Sequence, residues 1–230
     1  FKTVLVPSQF CKDIFHRQFG NDKDIIVFPH WPGHVAPSKP PSKRHYTFYT
    51  IGNILDPRKN INTLIKAFLQ CPEGSRLLIK ATCIKDMKLN IPNVVVINGL
   101  LSDQDMNRIH DMCDCYVNCS HSEGVGMGAV EAALRNKPVI ISDFGGLKEY
   151  VKTPFVVPCE ETTVGVFDFL FEPHMKWGNP NFDQLVKHMK HCQTQNIRSW
   201  DHTHTQEFTS RSMLCTKFAN LCSALAGSSV

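Results

Sequence analysis

The chain has 230 residues, room for one large α/β domain or for one domain plus part of a second. With 42% apolar and 20% charged residues it reads as a globular protein able to bury a core, and no apolar run approaches the length of about eighteen residues that spans a bilayer. The net charge of +4, dispersed and without a Lys/Arg block, argues against nucleic acid and suits an anionic small molecule.

Phe1–Pro7 reads as a buried strand with no leader before it, so the chain is expected to be a piece of a longer protein. Ser8 then caps an amphipathic helix over Gln9–Phe19, and Asp24–Phe28 is a second strand. Five prolines in Pro29–His45 exclude regular structure and mark a linker; His30 and His34, four apart, lie in it without the helix that would align them on a metal. Beyond it strands and helices alternate. Tyr46–Ile51, Arg76–Ala81, Asn93–Ile97, Cys115–Asn118 and Pro138–Ser142 read as strands, with helices at Ile61–Cys71, Asp103–Met112 and Gly126–Arg135 and a loop from residue 82 through Asn90. Residues 158–180 look irregular, and Asn181–His191 and Gln206–Ala226 are helical by pattern. Strands apolar on both faces with helices between them predict an α/β fold, a Rossmann-like doubly wound parallel sheet. Ligands of such sheets bind beyond the carboxyl ends of the strands, in the loops after residues 51, 81, 97, 118 and 142.

The ten cysteines include no CxxC pair; Cys113, Cys115 and Cys119 straddle a helix end and a strand and read as buried, reduced thiols, which favours a cytoplasmic location. The Asn118-Cys119-Ser120 sequon ends a core strand and reads as chance, and His188 and His191 as histidines sharing one helix face.

Two stretches carry chemistry. In SHSEGVGMGAVEAALRNKPVI a strand end leads through a glycine-rich turn into a helix. Gly124, Gly126 and Gly128 would let a ligand approach the backbone, and the helix start offers unpaired amides and the positive end of a dipole, a diphosphate cradle. Glu131, inside that helix, can accept two hydrogen bonds from a vicinal diol such as ribose; the plainer reading is a tight turn with an exposed Glu131. In GNILDPRKNI, Arg58 and Lys59 stand before a helix, where cations oppose the dipole and a phosphate would relieve them.

The spacing from Glu123 to Glu131 and its context, EGVGMGAVEAALRNKPVI, resemble the E-x7-E signature of retaining glycosyltransferases of family 4. TIGNILDPRKNINTLIKAF, NVVVINGLLSDQDMNRIHDMCDCYVNCS and SDFGGLKEYV are similar to further elements of that family, in the same order, across residues 46–151. Thr3–Phe19 also resembles the last strand and helix of its N-terminal domain, and Ile26–Gly33 the segment crossing between domains. The resemblance implies the C-terminal domain of a GT-B glycosyltransferase: a remnant of the acceptor-side domain at 1–28, a linker at 29–45, a nucleotide-sugar domain at 46–205 and a C-terminal helix at 206–230. The rest of the N-terminal domain would be a partner outside this chain.

By that resemblance Lys59 contacts the donor diphosphate and Glu131 the ribose; Glu123 and the backbone of Val125, Gly126, Met127 and Gly128 contact donor sugar and phosphate; Gly99 and Leu101 meet the base, and Gly52 and Asn53 line the phosphate side. The family often has Arg directly after the strand glycine, where this chain has Asn53, so Arg58 is expected to supply that charge. Val125 replaces a usual aromatic, and Gly128 a frequent proline. The implied donor is a UDP- or GDP-sugar, transferred with retention to a sugar, lipid or protein acceptor. Arg58, Lys59 and the helix amides would stabilise the leaving diphosphate, and with no DxD pair evident neither a metal nor another cofactor is expected. Other readings stay open: a non-catalytic nucleotide-sugar-binding module, favoured by Asn53 and the missing half, or an epimerase or phosphorylase on the same architecture.

Overall fold

The structure, a computed structural model, describes residues 3–20, 22–33, 35, 45–82, 89–167 and 171–227. His34, most of the proline-rich linker, and residues 83–88 of the loop after the second of the alternating strands lie outside the described residues. Strands β1 (Thr3–Val6) and β2 (Asp24–Val27) pair in parallel, joined by helix α1 (Gln9–Phe19), whose N-cap Ser8 accepts the Cys11 amide as its sequence position predicts. Strands β3 (Tyr46–Gly52), β4 (Ser75–Ala81), β5 (Val94–Ile97), β6 (Cys115–Asn118), β7 (Val139–Ser142) and β8 (Val156–Val157) form one sheet in the order β5-β4-β3-β6-β7-β8, every pairing parallel. Renumbered along this domain the order is 3-2-1-4-5-6, that of the Rossmann fold.

Two apolar layers hold the sheet, as its two-sided hydrophobic strands require. On one face Phe48, Leu77 and Ile79 pack against Leu64, Ile65 and Phe68 of α2 (Ile61–Phe68) and Leu185, Val186 and Met189 of α6 (Phe182–Thr194). On the other, Tyr49, Tyr116 and Ile141 pack against Ile109 of α3 (Asp103–Met112), Ala129 and Ala133 of α4 (Met127–Leu134) and Leu147 and Tyr150 of the short α5 (Leu147–Tyr150). Neighbours on β3 thus alternate between layers, Phe48 to one and Tyr49 to the other, as strand pleating dictates.

The chain departs from expectation in two places. Residues 158–180 are not irregular throughout: β9 (Cys159–Thr163) pairs antiparallel with β10 (Lys176–Pro180), setting Trp177 opposite Thr162. CEETT and KWGNP carry little of the apolar alternation that betrays a strand. The expected single C-terminal helix is two, α7 (Thr203–Phe208) and α8 (Arg211–Gly227). Thr209 ends the first by bonding back to the Thr205 carbonyl (2.8 Å), and the Ser210 hydroxyl accepts the Met213 amide (3.3 Å), opening the second. Helix α8 returns toward the chain's beginning, where Phe218 meets Phe28 edge-on (6.1 Å).

The first strands and α1 are tied to the large sheet through α5. The Glu149 carboxylate accepts the Gln9 and Phe10 amides (2.8 and 2.9 Å), and the Tyr150 hydroxyl joins Pro7 and His30. The described cysteines are free, with Cys113, Cys115, Cys119 and Cys192 buried; burial pushes the Cys119 thiol up to about 12, well out of the reactive range. No described helix is long and apolar enough to cross a membrane.

Candidate functional site

The strand order reverses between β3 and β6, so the loops following these two strands face each other at the carboxyl edge of the sheet. Asp56 caps a single 3-10 turn over Pro57–Lys59, accepting the Arg58 amide (2.9 Å), and the turn presents Arg58 and Lys59 toward the β6 loop. Opposite them stands Glu123, 8% exposed. Lys59 Nζ donates to its Oε1 (2.5 Å), Arg58 Nη1 to its Oε2 (3.0 Å), and Ser120 Oγ to Oε1 (2.9 Å). Arg58 is further braced by the Ser122 carbonyl (2.8 Å) and the Asp56 carboxylate (3.0 Å). Burial opposes the Glu123 charge, but the Lys59 ammonium and Arg58 guanidinium outweigh it and hold the pKa below its ordinary value. Asn118 is 6% exposed and donates to the same carboxylate, which agrees with reading its sequon as chance.

The Gly-Gly turn after β7 buttresses Glu123 from behind. Gly146 N donates to the Glu123 carbonyl (2.7 Å), and a Cβ on Gly145, at φ +118°, would fall 2.4 Å from that oxygen. Only glycine permits this approach of two backbones. His121 closes the other side. Its amide donates to the Arg58 carbonyl (2.8 Å), its carbonyl accepts the Gly178 amide (2.9 Å), and its ring stacks on Trp177 of β10 (4.3 Å, 13°).

Helix α4 starts at Gly126 with no side chain capping its amides, beside this cluster. Gly128 is explained differently from the sequence reading. A Cβ there would meet the hydroxyl of buried Tyr116 at 2.4 Å, so its neighbour in need of room is the protein itself. That hydroxyl exchanges hydrogen bonds with the Ile51 backbone at the end of β3. Burial, joined by the charges of Glu123 and Glu131, raises the Tyr116 pKa, so this phenol lies within electrostatic reach of both glutamates.

The residues singled out from sequence divide into groups. Arg58, Lys59 and Glu123 meet directly, and Gly52 lies against the Lys59 stem, its absent Cβ 3.2 Å from Cε. Glu131 stands farther along α4 and is not merely a surface residue: 29% of its side chain is exposed, and Oε2 lies 3.2 Å from Nε2 of buried His110. Val125 and Leu101 lean, half-buried, on the apolar layer shared by α3 and α4. The Gly99 carbonyl accepts the buried Lys80 ammonium (2.6 Å). Asn53 is exposed and accepts the Leu55 amide (3.0 Å), so it shapes the turn rather than joining the cluster. Sequence reasoning missed His110, Tyr116, Ser120 and Lys80. The one available signal was a polar residue at a core position, as at His110 and Lys80. Among the described residues no group of three or more His, Cys, Asp or Glu side chains is arranged to hold a metal ion.

A Rossmann-ordered sheet with a basic pair, a carboxylate and an uncapped helix start at its switch point defines an α/β domain of the class that takes ligands at this edge. The chain belongs to the family of glycosyl transferases group 1, whose model matches residues 37–157, more than half its length. No curated protein sequence is a significant match. Among solved structures, sucrose-phosphate synthase from Thermosynechococcus elongatus superposes with a TM-score of 0.71 at 17% identity over 99% of this chain and 59% of that one. Anabaena Alr3699/HepE in complex with UDP and glucose gives 0.74 at 16% identity over 97% and 63%. The pneumococcal O-GlcNAc transferase GtfA in complex with UDP and GlcNAc gives 0.66 at 13% identity over 98% and 45%. The chain therefore spans less than two thirds of each of these chains, and the likeness establishes a fold, the Rossmann-like domain of GT-B proteins.

Proposed function

We propose that the chain is the donor-binding half of a retaining glycosyltransferase of family 4 that takes its sugar from a UDP- or GDP-sugar. The observation that carries this is the Lys59–Glu123–Arg58 cluster at the sheet's switch point, beside the uncapped start of α4. Two cations held on one carboxylate are poised to exchange it for a diphosphate, with the α4 amides as further donors. In this reading Lys59 and Arg58 neutralise the charge that grows on the departing diphosphate, and Glu123, once released, turns to the donor sugar. Glu131 takes the ribose hydroxyls, and the loop from Gly99 to Leu101 receives the base. Charge stabilisation by fixed cations needs no metal. Of the two bases, the UDP present in the HepE and GtfA structures supports uridine.

The acceptor side belongs to an N-terminal domain of which residues 1–28 are the remnant, with 29–45 as linker, 46–205 as the donor domain and 206–230 as the C-terminal helical segment. The free thiols support a reducing compartment, the cytoplasm. The test is a thermal-shift panel with UDP, GDP and ADP on the 230-residue chain and its Lys59→Ala variant. One nucleotide should raise the melting temperature, and Lys59→Ala should weaken its binding about tenfold or more, the worth of a charged hydrogen bond. Sugar transfer by the chain alone should be poor, because the wall that closes the cleft is elsewhere. Stabilisation by none of the three, or equal stabilisation of Lys59→Ala, overturns the reading.

A further inference from the structure

His110 of α3 is fully buried, between Tyr49 of the sheet and Glu131 of α4. A polar ring at such a depth destabilises the fold unless both nitrogens are satisfied. Here they are: Nδ1 lies 2.8 Å from the Tyr49 hydroxyl and Nε2 lies 3.2 Å from Glu131 Oε2. Burial lowers the imidazole's pKa against the opposing pull of Glu131, so the ring is neutral, with one donor and one acceptor. A carboxylate only accepts, so the proton is assigned to Nε2. Nδ1 then accepts from Tyr49, whose phenol burial keeps protonated. One arrangement of hydrogens satisfies all three groups.

The relay is anchored at its inner end. Tyr49 is fully buried on β3, with its ring edge-on to both His110 (5.4 Å) and Tyr116 (4.9 Å). Its outer end is braced by Arg135, which donates to the Glu131 carbonyl (2.8 Å) and to Asn107 of α3, locking α4 to α3. Glu131 Oε2 is thereby held while Oε1 has no hydrogen-bond partner among the described residues. A long glutamate on a helix surface would otherwise give up rotamer freedom on meeting a ligand.

We propose that His110 is a positioning residue that holds the Glu131 carboxylate in the orientation required by the ribose diol, so that the Tyr49–His110–Glu131 relay sets the chain's preference for ribo- over 2′-deoxyribonucleotides. This rests on the reading of Glu131 as the ribose acceptor. A neighbour that only packed would affect stability alike with either sugar; one that aims the carboxylate affects the difference between them.

The test compares the affinities of UDP and 2′-deoxy-UDP, or of GDP and 2′-deoxy-GDP if guanine is the base bound, for the 230-residue chain and four variants. The wild-type chain should prefer the ribonucleotide about tenfold or more. Glu131→Gln should erase most of that ratio. His110→Phe should lower it several-fold while leaving 2′-deoxynucleotide affinity nearly unchanged. His110→Gln, whose amide can still donate toward Glu131, should restore part of it, and Tyr49→Phe should fall between. If Glu131→Gln loses the preference but His110→Phe keeps it, the positioning role is wrong and the ribose reading survives. If Glu131→Gln keeps it, or the wild-type chain has none, the ribose reading fails and this inference with it. Should His110→Phe not fold, the full wild-type ratio in both Tyr49→Phe and His110→Gln overturns the relay.

Discussion

Replacing Glu123 by Gln should move stability and ligand binding in opposite directions. The carboxylate gathers Lys59 (2.5 Å), Arg58 (3.0 Å) and Ser120 (2.9 Å), with only 9% of its side chain exposed. Glutamine keeps the shape and one acceptor oxygen but loses the charge and turns an amide toward one of the donors. Charge-assisted hydrogen bonds contribute about 1.5–3 kcal/mol each, and removing one partner of a buried ion pair costs about 3–5 kcal/mol. Lys59 and Arg58 have 19% and 22% of their side chains exposed, so water recovers part of this. We expect a loss of about 1–3 kcal/mol at pH 7, or roughly 2–12 °C in melting temperature for a chain of this size. Because the native fold lowers the Glu123 pKa, its contribution is present above the ordinary carboxylate range and fades as the pH falls through it. The gap between wild type and variant should narrow accordingly. UDP or GDP, whichever binds, meets two cations without their carboxylate in the variant and should raise its melting temperature by more than in the wild type, although transfer by the full-length enzyme falls. Paired melting curves with and without nucleotide measure both effects. A variant that melts with the wild type, or one that no longer responds to nucleotide, would show that Glu123 is not the ligand's stand-in on the basic pair.

Three further expectations follow from the packing. Gly128→Ala should cost about 1–3 kcal/mol by driving a methyl into the Tyr116 hydroxyl, and adding Tyr116→Phe should recover much of it in urea titrations; if Gly128→Ala is neutral, the glycine serves a ligand and not the tyrosine. His110, His121, His188 and His202 all have pKa values lowered, first by burial, so the folded chain resists protons that the unfolded chain accepts near pH 6.5. Stability should be full above about pH 6.5 and decline below it, and equal denaturant midpoints at pH 7.5 and 5.5 would contradict this. Glu149→Gln should loosen α1 by about 1 kcal/mol, because a carboxylate accepting two amides at a helix start also meets its dipole; faster hydrogen exchange in α1, with strands β3 to β7 unaffected, is the signature.

The alternating core was legible in sequence because it obeys local rules. Leu64, Ile65 and Phe68 share a helix face, and runs such as Val139–Ser142, buried along their whole length, are too apolar for anything but a core strand. Arg58, Lys59 and Glu123 were legible for another reason: each sits where a parallel sheet presents its loops, and the strand order then brings the loops together. The features that local sequence does not mark depend on partners far along the chain. Lys176–Pro180 is a strand because Cys159–Thr163 is its mate, and neither carries a pattern of its own. In sequence Gly128 reads as space for a ligand, whereas Tyr116 fills that space, and nothing near Glu131 points to His110, twenty-one residues earlier, against its carboxylate. Hydrogen bonds of this kind leave no periodicity in sequence.

The stacked rings of His121 and Trp177 make the site optically readable. Trp177 is 7% exposed, and the backbone of its stacking partner is bonded to Arg58, so a change at the basic pair reaches the indole through one residue. The other two tryptophans sit elsewhere: Trp31 is exposed, and Trp200 packs on Phe155 on the α6 side of the sheet. With both replaced by phenylalanine, the remaining emission would come from one indole buried a residue's breadth from the Arg58–Lys59 pair. Occupancy could then be followed by unlabelled fluorescence, in real time and without sugar transfer.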